Sequence, residues 1–253
     1  MKTTKIVTSA IVLTTLGLVA APSVSADNTQ TYTEKGQVGF VDSVDPTDPT
    51  DPVDPTNPVD PVDPTDPDNT GPGTAGPLSI DYISNLDFGL DHKISGNTET
   101  YYANPTVLKD KDGKEIKRAN YLQVTDNRGT NIGWKLSVTQ NKQFNNGTAD
   151  LEGAALKMSG QVFNSSNMDT TTTPTALNSG VITPTIGQDV QVVEAGKGQG
   201  MGTWTDSFGK YTDGSATDTS KEAISLEVPG KAAKTANATY KTDLTWTLTD
   251  AGI

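Results

Sequence analysis

Proline stands at every third position from 46 to 67, inside the run DPTDPTDPVDPTNPVDPVDPTDPD at residues 45–68. Proline locks φ, removes a backbone donor and biases the residue before it away from helix. Helix and central strand are therefore excluded across these eight triplets. What remains is polyproline II, whose three-residue repeat stacks the aspartates along one edge, about 9 Å apart. That spacing is too wide for neighbouring carboxylates to share a hard cation. The run predicts a stiff, solvated segment of up to roughly 75 Å, projecting near the N-terminus, and not a calcium site.

The run divides the chain. Residues 1–26 read as an export signal, with Lys2 and Lys5, an apolar stretch over 6–21, and Val24 and Ala26 at the small-residue positions before a cut. The stretch is too short and Thr-rich for a membrane span, so the mature chain has none. Residues 27–41 carry one alternation, Val38 and Phe40 against Gln37 and Gly39. So short a segment cannot bury a core alone, so it is expected to dock on the main domain as a strand. Residues 42–77 form the Asp/Pro-rich loop or linker, and 78–253 form one folded domain.

That domain reads as β throughout. Thr, Val, Ile and aromatics fill candidate strands at 78–83, 86–90, 121–125, 132–140, 156–159, 189–194, 223–227 and 240–248. Gly, Asn and Asp punctuate them, and Asp112-Gly113 reads as a hairpin turn and not as a calcium loop. The stretch DLEGAALKM allows one short helix. The expectation is an all-β fold, an antiparallel β-sandwich, Ig-like or related.

Two stretches share a Trp-x-Leu unit. In NIGWKLSVTQ, Trp134, Leu136 and Val138 fall on one strand face and Lys135 on the other. In DLTWTLTD, Leu244, Trp246 and Leu248 share a face, while Thr245 and Thr247 point away. Period two makes Trp-x-Leu the smallest unit that sets the two side chains beside each other. Both faces read as core; an aromatic platform for sugars or a partner protein is the alternative. A third tryptophan, Trp204, follows Gly196, Gly198, Gly200 and Gly202. Glycine at alternate positions leaves a strand face bare, open to a close neighbour or ligand. The candidate binding surface is therefore Lys135, Trp204, Thr245 and Thr247.

Signs of catalysis are weak. The one histidine, His92, lies in a polar turn and reads as a solvated surface residue, and no nucleophile elbow, zincin motif or phosphate loop occurs. The chain is expected to be no enzyme and to use no cofactor or metal. It has no cysteine, and its net charge is −12. That balance disfavours nucleic acid and anionic lipid as partners. A cysteine-free export product fits a Gram-positive cell. No apolar tail follows Trp246, so retention at a surface is expected to be non-covalent.

Across nearly its whole length the chain resembles the WxL-domain surface proteins of Gram-positive bacteria. The resemblance rests on GPLSIDYISNLDFG, LQVTDNRGTNIGWKLSV, GQGMGTWTDSFG and YKTDLTWTLTDAG. The last fits the family's closing pattern at Tyr240, Leu244, Thr245, Trp246, Thr247 and Leu248. The resemblance implies a secreted protein held non-covalently on the cell wall, with peptidoglycan the usual ligand. It also implies association with other cell-surface proteins and a role in adhesion to host or substrate ligands.

Overall fold

The computed structural model describes residues 30–41, 43–62 and 73–252. The expected export signal at 1–26 and the 63–72 part of the Asp/Pro-rich run lie outside the described residues. The chain divides into two compact units, residues 1–39 and 40–253. In the first, residues 30–39 contain no strand, and Tyr32 and Val38 are exposed. Phe40, in the second, is exposed too. The strand expected through Val38 and Phe40 is thus not formed; two apolar side chains beside two glycines hold no ladder.

The second unit is built from strands β1 (Asp60–Val62), β2 (Leu78–Ile83), β3 (Glu99–Tyr102), β4 (Thr106–Lys109), β5 (Glu115–Arg118), β6 (Tyr121–Asp126), β7 (Trp134–Gln140), β8 (Ala155–Ser159), β9 (Gln161–Asn164), β10 (Thr175–Ala176), β11 (Val181–Ile182), β12 (Val190–Ala195), β13 (Gly202–Phe208), β14 (Ile224–Val228) and β15 (Leu244–Asp250). They form small sheets in the orders β2-β6-β13-β9, β10-β12-β7-β15, β11-β8-β14-β3 and β1-β4-β5. The ladders are antiparallel, as expected. Helix is limited to two 3-10 turns among the described residues. The hairpin expected at Asp112-Gly113 joins β4 to β5.

Two local expectations fail for identifiable reasons. The stretch 86–90 is not a strand, because the Asp87 carboxylate accepts the Gly89 N–H at 2.8 Å and Gly89 takes φ +83°. That Asx turn breaks the alternation while still sending Leu86 and Phe88 against the core. The helix allowed over DLEGAALKM is instead β8, in which Leu156 and Met158 are buried and Ala155 and Lys157 exposed.

Three of the sheets contribute to one core. Leu122 and Val124 come from β6, Trp134, Leu136 and Val138 from β7, and Leu156, Met158 and Ile224 from β8 and β14. Each large side chain so buried contributes about 1.5–3 kcal/mol. Asp206 shares this core face, paired across the ladder with Leu122. Its Oδ2 accepts from Gln161 Nε2 at 2.5 Å, while Oδ1 lacks a partner. Burial pushes its carboxyl up to about 7, against weaker opposition from the Gln161 and Val162 hydrogen bonds.

The opposite face of β6 is also buried, and what covers it overturns the reading of the proline run. Residues 49–59 are not a projecting polyproline II rod; they form a hairpin seated on the β2-β6-β13-β9 sheet. Asp51 N–H donates to Asn57 O, Val59 N–H donates to Pro49 O, and Thr50 bridges Pro58. The donors that close this hairpin are non-proline positions, so proline's missing N–H costs nothing there. At the tip, the Asp54 carboxylate accepts from Thr56 and Asn57. Its charged form gains from those bonds, the Thr56 pair first, which lowers its carboxyl below the usual range.

Long-range contacts fix the hairpin in place. Arg118 donates from Nε and Nη2 to the two oxygens of Asp51, at 2.7 and 2.6 Å. Thr50 gives its N–H and hydroxyl to Gln123 Oε1, and Gln123 Nε2 donates to Asp48 O. Asn164 Nδ2 donates to Pro52 O and Val53 O. Beneath lies buried Asp81, accepting from Ser79, Gln123 and Thr125; desolvation raises its carboxyl despite them. Val59 completes an apolar cluster with Leu108 and Tyr121.

Candidate functional site

The two Trp-x-Leu units lie side by side in one sheet. β15 pairs with β7 so that Leu248 faces Leu136 and Trp246 faces Val138. They are lateral neighbours on one face and do not meet across the core. Their burial differs: Trp134 is 1% exposed and Leu136 fully buried, while Leu244, Trp246 and Leu248 are half-buried. The cause is position, since β7 has a strand on each side and β15 closes the sheet order.

The Gly-rich stretch serves Trp134. The indole Nε1 donates to Gly200 O at 3.0 Å. A Cβ at Gly200, which has φ +72°, would sit 2.5 Å from that same nitrogen. The bare face thus receives a close neighbour from within the chain. Trp204 is 2% exposed and donates from Nε1 to Met201 O. It is a core residue of β13, so its place on the candidate binding surface is corrected: the glycines before it expose no indole.

Arg128 ties the ends of the paired strands. It donates to Asp126 from Nε and Nη2 at 2.9 and 2.8 Å, to Gly133 O at 2.8 Å, and to Asp250 Oδ1. The outer face of the pair carries Lys135, exposed Thr245 and exposed Thr247, three of the four expected surface residues. Lys135 lies 3.8 Å from Glu194 on β12.

Beside Trp246 a groove of about 790 Å³ opens between the loop over 84–94 and the segment over 234–246. Phe144, Leu156 and Leu226 line its apolar part, and Phe88, Tyr101 and Trp246 add aromatic surface. His92 stacks on Tyr101 with ring centroids 4.0 Å apart, its Nε2 2.6 Å from Phe88 O. The exposed side chains Leu90 (76%) and Ile94 stand among its lining residues. Its polar members include Asp87, Lys93, Thr242 and Asp243. Lys234 holds one end together: its ammonium donates to the carbonyls of Ser95, Pro229, Gly230 and Ala232, at 3.0–3.4 Å. Tyr240 OH accepts the Thr235 N–H, and bonds from Thr235 lead in lowering its phenol below the usual value.

A groove with aromatic and aliphatic walls beside acceptors and an ammonium suits an amphiphilic ligand, such as a sugar ring with an apolar face and a hydroxyl edge. Sequence reasoning missed it. His92 reads as solvated, and its partner Tyr101 and the wall residue Tyr240 have no local pattern that joins them. Trp246 and Leu244 are legible in the sequence through their shared strand face, and Tyr240 through the closing motif.

No curated protein and no solved structure matches the chain. The family model described as "WxL domain surface cell wall-binding" matches residues 27–251. That span contains both Trp-x-Leu strands, the proline hairpin and the groove, and the chain belongs to this cell wall-binding family.

Proposed function

We propose that the mature chain is exported by way of residues 1–26 and held non-covalently on peptidoglycan, with no catalytic role, and that the groove beside Trp246 receives the glycan. The observation that carries this is the partial exposure of Trp246. Of the three tryptophans it is the one that is not fully buried, and it lines the groove of about 790 Å³. A sugar ring would lay its C–H face on the Trp246 or Tyr101 side and turn its hydroxyls to Asp87 and Asp243. The finer architecture we propose is a β-sandwich, with the β2-β6-β13-β9 and β10-β12-β7-β15 sheets as its layers. Association with other surface proteins, or with host matrix ligands, belongs to the same reading.

A second reading has its own observation. Lys135, Thr245 and Thr247 form one polar sheet face on the outside of the paired strands. An interaction or adhesion subunit would use that face for a protein partner, and wall contact would be indirect. Sedimentation with purified peptidoglycan sacculi separates the two. The mature chain is expected in the pellet at physiological salt, and Ile94→Asp with Lys93→Ala should release it. Retention of that variant would exclude the groove as the wall contact, whereas the indirect contact of the second reading predicts that the wild-type chain does not sediment with sacculi free of protein. A wild-type chain left in the supernatant would end the wall-binding reading.

A further inference from the structure

The hairpin over 49–59 is held to the rest of the molecule by side-chain contacts along its length and, at its C-terminal end, by Val59 in the cluster with Leu108 and Tyr121, beside the β1-β4 ladder that starts at Asp60. Its own backbone bonds close it, from Asp51 N–H to Asn57 O and from Val59 N–H to Pro49 O. Its tip is set by Asp54 with Thr56 and Asn57. Arg118, Gln123 and Asn164 then grip it from β5, β6 and β9 through a two-point ion pair and four further bonds to Thr50, Pro52 and Val53. These contacts join residues 67 to 112 positions apart. Prolines at 49, 52, 55 and 58 limit the conformations open to the detached segment, which lowers the ordering cost of seating it again.

We propose that this seat is an interaction site for the same segment of a second copy of the chain. Gln123, Arg118 and Asn164 read a Thr-Asp-Pro unit, occupied within the chain by Thr50, Asp51 and Pro52 in turn. Every copy displays the identical unit, and the unit recurs at Thr47-Asp48-Pro49. A neighbour's hairpin makes the same bonds as the resident one, so exchange is close to neutral in contact energy. What opposes it is the tether, which acts like a local concentration in about the millimolar range. Exchange therefore becomes appreciable where chains are crowded, as on a densely covered surface, and links neighbours through reciprocal hairpins.

The absence of cysteine from the chain allows a direct trap. Full-length Val53→Cys and full-length Asn164→Cys are mixed, oxidised slowly, and the 53–164 disulfide between chains is read by mass spectrometry. The doubly substituted chain, alone and dilute, should close the bond internally, and failure to do so overturns the seat. In the mixture the interchain bond should increase with protein concentration toward about the millimolar range. Thr245→Cys, exposed on β15 and away from the seat, serves as the control acceptor in place of Asn164→Cys and should give at most about a tenth of the bond to Val53→Cys. An internal bond without an interchain one at any concentration overturns the exchange. So does an interchain bond formed as readily with Thr245→Cys as with Asn164→Cys, since that would be chance collision.

Discussion

At the scale of single residues, the most consequential placements are polar groups on apolar ground. Asp206 titrates near 7, far above its ordinary 3.8, because burial disfavours its charged form. The folded state therefore holds a proton that the unfolded state has released between those two values. Stability is full below about pH 3.8, falls as pH rises toward about 7, and stays low above it. Denaturant titrations of wild type and Asp206→Asn at pH 5 and pH 8 should show the wild type losing more with pH. The Asn variant should be the more stable at pH 8, by up to about 4 kcal/mol. The glycines near Trp134 offer a second contrast. Gly200→Ala meets the Trp134 indole and the Ala195 side chain, whereas Gly198→Ala, also at positive φ, meets nothing. Thermal melts should show a loss of about 1–2 kcal/mol for Gly198→Ala and several for Gly200→Ala. Alternating glycines announced a close approach; the approaching group, 66 positions away in sequence, they could not name.

At the scale of elements, period-two alternation was a sound guide wherever side chains alone decide the strand. It located β7 and β15 because Trp134, Leu136 and Val138, like Leu244, Trp246 and Leu248, need one face. It misled at 86–90, where a carboxylate captures the next turn's N–H. It missed β9 and all of β13, whose Gly, Asn, Asp and Ser take their places from the ladder they join. The lateral pairing of the motif copies makes them unequal. Leu136→Ala should cost about 3–5 kcal/mol and Leu248→Ala about half as much, measured by urea denaturation at one pH. Equal losses would mean that β15 is as deeply enclosed as β7.

At the scale of the whole molecule, the proline run was legible as non-helical but not as part of the fold. Local propensity favours a rod, and the side chains that bend it into a hairpin, Arg118, Gln123 and Asn164, lie far along the chain. Asp51 and Arg118 are the hinge of that arrangement, both largely shielded from water. Removing either leaves the other uncompensated, so Asp51→Ala and Arg118→Met should each cost about 2–3 kcal/mol. Their double variant should cost clearly less than the sum in a denaturant-based cycle. The groove was less legible still, because its walls meet only when distant segments fold. One of its ties has a bearing on where such a protein works. Around Lys234 the backbone offers four carbonyl oxygens, the coordination that loops elsewhere present to a dissolved metal ion. Here the positive charge is carried on the chain and cannot be washed out. Outside the cell, where ionic composition varies, that end of the groove keeps its shape through dilution, chelators and exchange of salts.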